Sequence, residues 1–190
     1  MSNVRAQQDP GVIEIVDAHS PPLLDAAREI VREYGRAIEH VAACSLQYQR
    51  FEDELAGLPG VYAPPRGRLL LAFSRPPAPT PGRSDIERPI GCVALRPLPA
   101  LGSSVCELKR MYVRPEARGR GLGAALARRI ISDAAAAGYS LMKLDTSSTM
   151  LEAQALYRRL GFVPCAAYNA DPAEDTLWFE RVLRPDDADL

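Results

Sequence analysis

The chain reads as an α/β domain, a mixed sheet with helices on its faces, in the order β-α-α-β-β-β-α-β-α-β-β. Three observations predict it. Short β-branched or apolar runs recur along the chain, as in Val12–Val16 and Val105–Val113. Between them, apolar residues fall at spacings of three and four, the period of a helix packed on one side. Glycines such as Gly138 and Gly161 stand where the helical stripes stop. The length of 190 residues fits one domain, and 47% hydrophobic with 25% charged residues is ordinary globular composition. Residues 1–11 are expected to form a flexible N-terminus, 12–184 the domain, and 185–190 an acidic, frayed tail.

Element by element, Val12–Val16 alternates as a strand does. From Pro21 to about His40, Leu24, Ala27, Ile30, Val31, Tyr34 and Ile38 form a helical stripe, and Pro21 and Pro22 suit a first turn. A second helix is expected from about Leu46 to Leu55. Ten of the 17 prolines then fall between Pro59 and Pro99, bracketing strands at Arg68–Ser74 and Ile90–Arg96. The proline-rich stretch between them, Arg75–Pro89, is too long for a tight turn and reads as a mobile hairpin loop. Val105–Val113 is a strand, Gly121 to about Gly138 a helix with Leu122, Leu126 and Ile130 on its buried side, and Ser140–Thr146 a strand. Met150–Leu160 is a helix, followed by strands at Phe162–Tyr168 and Thr176–Leu183.

Charge and cysteine content exclude several classes. The net charge is −1, so no global basic surplus marks a nucleic-acid binder. The first eleven residues hold no apolar run, which predicts no secretory signal, and no run is long enough to span a bilayer. Cys44, Cys92, Cys106 and Cys165 are far apart and the two histidines are isolated, so neither a metal site nor a disulfide framework is expected. A reducing cytoplasm is the simplest location. Exposed edge strands leave room for a homodimer.

The most informative segment is Arg114–Ala124, RPEARGRGLGA, which joins a strand to a helix. Gly119, Gly121 and Gly123 remove side chains where the helix begins. The free N–H groups of a helix N-terminus, with its dipole, make an anion site. Arg114, Arg118, Arg120, Arg128 and Arg129 add local positive charge, so the segment points to a phosphate or pyrophosphate. No Walker A sequence is present. A dinucleotide fingerprint is formally satisfied by Gly119, Gly121 and Ala124, with Asp145 near the place of a ribose-binding acid. Against it, the preceding strand carries Glu107, Lys109 and Arg110, whereas a first Rossmann strand is nearly all apolar.

These residues resemble the GNAT superfamily of N-acetyltransferases. The family's acetyl-CoA loop, Q/R-x-x-G-x-G/A, is read here as Arg118, Gly119, Arg120, Gly121, Leu122 and Gly123. Glu107–Val113 resembles the family's fourth strand, E-L-x-R-x-Y-V, and Ala153, Leu156, Tyr157, Leu160, Gly161 and Phe162 match A-x-x-L-Y-x-x-L-G-F. One position departs: Met150 stands where many members carry an asparagine that contacts the pantetheine arm.

The resemblance implies transfer of an acetyl group from acetyl-CoA, as co-substrate and without a metal, to an amine by direct attack. A lysine-like amine is only about one part in a thousand neutral at pH 7, so a base is useful. By similarity Glu107 is the expected general base and Tyr157 the general acid for the leaving sulfur. The backbone of Met111, Tyr112 and Val113 would run beside the pantetheine arm, and the amides of Arg118–Ala124 would hold the pyrophosphate. Tyr34, Gln47, Tyr48, Tyr62, Tyr168 and Asn169 are candidates for lining the acceptor side, and a small amine or amino-acid-like acceptor is expected. The alternatives are a non-catalytic acyl-CoA-binding module of the same fold, or a nicotinamide-dinucleotide protein.

Overall fold

The computed structural model describes residues 12–48, 50–75, 88–171 and 173–190, with backbone alone for 40–48 and 75. Its elements are β1 (Val12–Asp17), α1 (Pro21–Tyr48), α2 (Phe51–Ala56), β2 (Arg68–Arg75), β3 (Gly91–Pro97), β4 (Val105–Val113), α3 (Leu122–Ala136), β5 (Leu141–Ser147), α4 (Leu151–Arg159), β6 (Val163–Pro164) and β7 (Thr176–Val182). The strands form one sheet in the order β1-β2-β3-β4-β5-β7-β6. Only β4 and β5 run parallel; the other described pairs are antiparallel. The element order is the one that the sequence predicts.

Side chains alternate across the sheet and build two apolar layers. On one face Leu70, Ala72, Val93, Leu95, Leu108 and Met142 meet Leu122, Leu126 and Ile130 of α3 and Tyr157 of α4. On the other, Leu69, Leu71, Phe73 and Ala94 meet Ala27, Ile30 and Val31 of α1 and Phe51 and Leu55 of α2. The central strands are covered on both sides, which is why β2 and β3 read as continuous apolar runs. Among the described residues no helix is long and apolar enough to cross a membrane.

Three boundaries differ from expectation. α1 continues past His40 to Tyr48, because the chain from Arg36 to Tyr48 holds no glycine or proline to stop it. The break comes at Arg50, whose backbone is left-handed (φ 53°, ψ 49°) and starts α2. β6 covers Val163–Pro164 rather than Phe162–Tyr168. Pro164 has no N–H for a ladder, and after Cys165 N donates to Trp178 O the chain leaves the sheet edge. The expected frayed tail is instead a 3₁₀ turn, Pro185–Asp189. It lies on α3, where Ser132 Oγ donates to Ala188 O at 2.7 Å, and the buried Asp187 accepts from Arg181 and, at 2.8 Å, from the Arg184 N–H. Residues 1–11 and 76–87, expected to be a flexible N-terminus and most of a mobile loop, lie outside the described residues.

Two buried arginines of β4 and the segment after it fix α1 and α2 to the sheet. Arg110 forms a bidentate pair with Glu54 of α2, both contacts 2.7 Å, and its guanidinium lies 5.1 Å from the Phe51 ring centre. Arg114 reaches Glu33 at 2.9 Å and Glu29 at 3.3 Å on α1. Removing one partner of such a pair strands a charge away from water, at a cost of roughly 3–5 kcal/mol.

Burial alone would raise the Glu54 carboxyl, but the Arg110 pair outweighs it and holds the group below its ordinary value of 4.5. A carboxyl lowered on folding stabilises the fold above its unfolded pKa, and that stabilisation is lost as pH falls through the folded value. The melting temperature should therefore hold from pH 7 to about pH 5 and fall steeply below about pH 4. Glu54→Gln should lower stability at pH 7 by roughly 3 kcal/mol and flatten that acid slope, as read by thermal unfolding across pH.

Candidate active site

β4 and β5 pair only from Val105↔Leu141 to Glu107↔Lys143. Beyond that point no ladder joins them, and the two strands open a cleft. The cause is visible on the other side of β4. The β3–β4 register shifts between Cys92 and Ala94, with one extra β4 residue, and Arg110 takes a left-handed φ of 56°. Such a bulge bends its strand and turns it away from a neighbour. The Cys92 thiol donates to the Arg110 carbonyl at 3.2 Å, inside the bulge.

Lys109 and Asp145 face each other across the opening. Lys109 Nζ lies 2.9 Å from Asp145 Oδ1 and 3.6 Å from Glu107 Oε1. Asn169 Nδ2 donates to Asp145 Oδ2 at 2.9 Å, and Trp178 Nε1 donates to Asn169 Oδ1 at 2.8 Å. Desolvation raises the Asp145 carboxyl, but Lys109 and Asn169 prevail and hold it below its ordinary value of 3.8. This network was missed in the sequence, although charged residues on an inner strand were its signal.

The cleft wall holds Lys109, Met111, Asp145, Thr146, Met150, Tyr157, Asp171 and Asp175. Tyr157 is 5% exposed and packs edge-on against Phe162 at 5.8 Å. No described residue hydrogen-bonds its hydroxyl, and burial pushes that hydroxyl's pKa well up. It stays protonated at any ordinary pH and is free to donate.

Glu107, the expected base, stands on β4 as the sequence places it. It is not on the cleft wall: it is fully buried, with Arg96 Nε at 2.5 Å and the Tyr168 hydroxyl donating at 2.7 Å. A base must touch the proton it takes. Glu107 instead pins Tyr168, and with it the start of the 168–175 segment, to the sheet. Of the other acceptor-side candidates, Tyr34 lines the cleft and Asn169 holds Asp145, while Tyr62 is buried behind α2. The side chains of Gln47 and Tyr48 lie outside the described residues.

Past Met111, Met150 and Leu156, which line both, the cleft continues into a groove that reaches the glycine loop. Of the residues expected there, Met111, Tyr112, Val113, Arg118, Gly119, Gly121, Leu122, Gly123, Ala124 and Met150 line it, and Arg120 does not. Gly119 and Gly121 have φ of 74° and 77°, and a Cβ on either would meet nothing within 4 Å. The glycines answer to backbone conformation, and the space beside them is open. The first N–H groups of α3 have no intrahelical acceptor. No described residue accepts from the amides of residues 119–124. Open amides at a helix start fit an anionic phosphate. Arg118 also donates to the Val113 carbonyl at 3.0 Å, bracing the loop.

Two arginines expected here serve elsewhere. Arg114 is 2% exposed and committed to Glu29 and Glu33. Arg129 pairs with Asp133 at 3.1 Å and Asp17 at 3.4 Å.

Comparison with known proteins decides the family. Residues 47–162 match the model of the acetyltransferase (GNAT) family. The chain belongs to the GNAT acetyltransferases. It is 36% identical over 169 residues to the uncharacterized N-acetyltransferase C1271.07c of Schizosaccharomyces pombe, covering 89% of this chain and 94% of that one. It is 41% identical over 80 residues to an IAA acetyltransferase of Azospirillum brasilense, covering 40% of this chain and 51% of that one. In fold it is similar to an acetyltransferase from Streptococcus agalactiae, with a TM-score of 0.68 at 18% identity over 90% of this chain and 98% of that one. It is also similar to yncA from Salmonella typhimurium, solved with its cofactor acetyl-CoA, with a TM-score of 0.58 at 18% identity over 90% and 93%. For this GNAT chain the dinucleotide alternative falls. A doubly wound sheet is parallel, among the described strands a single pair is, and Asp145 faces Lys109 rather than the glycine loop. Among the described residues no group of His, Cys, Asp or Glu is placed to hold a metal ion.

Gly121→Val tests the amide cradle. A β-branched residue at φ 77° is strained, and its side chain enters the open space where a phosphate would sit. The variant should fold and bind CoA at least tenfold more weakly by calorimetry; unchanged affinity would remove the loop from the binding site.

Proposed function

We propose that the chain transfers an acetyl group from acetyl-CoA to the amine of a small-molecule or amino-acid-like acceptor by direct attack. The observation that carries this reading is Tyr157, a buried residue whose hydroxyl has no described hydrogen-bond partner, on the wall of the cleft that shares Met111, Met150 and Leu156 with the groove at the glycine loop. Bound there, acetyl-CoA would supply an already activated thioester. The amides of residues 119–124 would hold its pyrophosphate, and Met111, Tyr112, Val113 and Met150 would flank its arm. The carbon and sulfur of Met150 replace the polar contact an asparagine would give. Its Sδ accepts from Thr146 Oγ1 at 3.7 Å.

As the nitrogen–carbon bond forms and the carbon–sulfur bond breaks, Tyr157 donates its proton to the departing sulfur, and the proton that the acylated nitrogen then sheds returns, through solvent, to the Tyr157 oxygen. Asp145, ionised and fixed by Lys109 and Asn169, receives the incoming ammonium and aims it; the proton leaves to water before attack. Glu107 keeps a positioning part, through Lys109 and Tyr168. The pinning of Tyr168 and Asn169 over the strand ends favours a small acceptor. We also propose a reducing, cytoplasm-like setting, in keeping with the free thiols of Cys92, Cys106 and Cys165.

Thermal unfolding with saturating acetyl-CoA and, separately, NADH tests the ligand. At about 100 times its Kd a ligand adds roughly 2.7 kcal/mol, a shift of roughly 5–10 °C for this size. Acetyl-CoA should give that shift and NADH none. Tyr157→Phe should lower kcat at least tenfold while the acetyl-CoA Kd stays within twofold; an unchanged kcat removes Tyr157 as the acid.

The pH–rate profile tests the division of labour. Asp145 is held below its ordinary range and Tyr157 above its own, so neither changes charge between about pH 6 and 9. The acid limb of kcat/KM should rise about tenfold per pH unit and track the acceptor amine. A weaker amine base should shift it down. A limb that stays fixed across acceptors would point to an enzyme base instead.

A further inference from the structure

The place where groove and cleft meet is lined by residues common to both: Tyr34, Ile38, Met111, Met150, Ala153 and Leu156. A thioester whose arm fills the groove, and whose acyl carbon is reached from the cleft, has its carbonyl among these six side chains. Five of them present only carbon and sulfur. Tyr34 alone brings a hydroxyl, which can donate. Among the described residues none hydrogen-bonds that hydroxyl; its neighbours are rings and a guanidinium against the face and edge of its own ring.

Tyr34 reaches this junction because the sheet is open there. It stands on α1, in the apolar layer on one face of the sheet, and Tyr157 belongs to the layer on the other face. A ladder between β4 and β5 would keep the two layers apart, but the pairing ends at Glu107↔Lys143. Side chains from both layers therefore line one cleft. The Tyr34 ring is also held in place. It lies edge-on to Tyr112 with ring centres 6.2 Å apart, and tilted against Phe51 at 6.4 Å. The Arg110 guanidinium, fixed by Glu54, is 5.8 Å from its centre. Ring pairs and a cation at these separations attract and orient an aromatic side chain. A donor fixed before reaction serves a developing charge well, because nothing has to reorganise when the charge appears.

We propose that Tyr34 is a second catalytic tyrosine, whose hydroxyl donates a hydrogen bond to the acyl oxygen of the bound thioester. This rests on the acetyl-transfer reading and adds a residue to it. When the amine nitrogen bonds to the acyl carbon, an electron pair of the carbonyl moves onto its oxygen. Tyr34 faces that negative charge and keeps its own proton. The pair returns as the carbon–sulfur bond breaks, and the sulfur takes its proton from Tyr157. The two tyrosines thus serve two atoms, oxygen and sulfur, one from each face of the sheet. In this role Tyr34 acts on the acyl group, not on the acceptor whose side of the cleft the sequence assigned it to.

The test reads the carbonyl directly. Acetyl-CoA labelled with carbon-13 at the acyl carbon is bound to the protein without an acceptor, and its carbonyl stretch is measured by infrared difference spectroscopy. A hydrogen bond to the oxygen lowers that stretch. Tyr34→Phe, which keeps the ring and removes only the hydroxyl, should move the band to higher wavenumber, while Tyr157→Phe should leave it in place. Replacing Tyr34 with 3-fluorotyrosine, a stronger donor on the same ring, should move it lower at pH 6, a gain that disturbed packing would not give. CoA release is then followed with ethylamine, ethanolamine and free lysine. Tyr34→Phe should lower kcat about a hundredfold, with the acetyl-CoA Kd and the amine KM each within twofold. A band that Tyr34→Phe does not move, or that Tyr157→Phe moves equally, overturns the inference and leaves acetyl transfer standing. So does a variant with unchanged kcat and a raised amine KM, which makes Tyr34 a residue of the acceptor pocket. If acetyl-CoA binds and no amine releases CoA, the acetyl-transfer reading falls, and this inference with it.

Discussion

The parting of β4 from β5 is the constraint on which the site depends. A parallel pair that kept its ladder would close the sheet and leave no channel between the glycine loop and Tyr157. The pair stops at Glu107↔Lys143 because β4 carries an extra residue opposite β3, and the left-handed Arg110 absorbs it. A strained backbone residue persists only when its surroundings fix it. Here the Glu54 pair on the side chain and the Cys92 thiol on the carbonyl do so. The local defect and the ion pair form one device, which opens one side of β4 and anchors α2 on the other.

The charges around it follow a simple division. Arg110 and Arg114 spend their charge on α1 and α2, so they shape the domain and offer nothing to a ligand. Lys109 and Asp145 close the gap between the parted strands with a side-chain bridge where the backbone ladder has failed. The exposed Arg118, at the glycine loop, remains beside the open amides. Buried pairs of this sort contribute little net stability compared with an apolar core, but breaking one is costly. They fix where things stand more than how firmly the chain folds.

Much of this was legible in the residues. Periodicity gave the element order, since apolar runs and helical stripes follow directly from one-sided and two-sided burial. The glycine loop was legible because only glycine sits easily at φ 74° and 77°, so the residue type reports the backbone. What stayed hidden depends on long-range pairing. Glu107 and Asp145 are both acids near strand ends, and nothing local says that one is sealed by Arg96 and Tyr168 while the other faces a cleft. The same holds for Arg114, which counts as loop charge in the sequence and lies buried against α1. The tail looks solvated by composition. It is retained by Arg181, a partner supplied by the last strand.

The amide cradle has a consequence for selectivity. Main-chain N–H groups are the same in every protein, so they recognise a phosphate ester without asking what it is attached to. Side-chain drift around the loop would then cost little, provided the two left-handed glycines remain. Discrimination between one phosphorylated molecule and another must fall to the passage beyond, where Val113, Met111, Met150 and Leu156 present apolar walls. A long, flexible arm can pass between those side chains, whereas a rigid second nucleotide would meet them with its polar edges. The loop sets how tightly the ligand is held, and the strand edge sets which ligand it is.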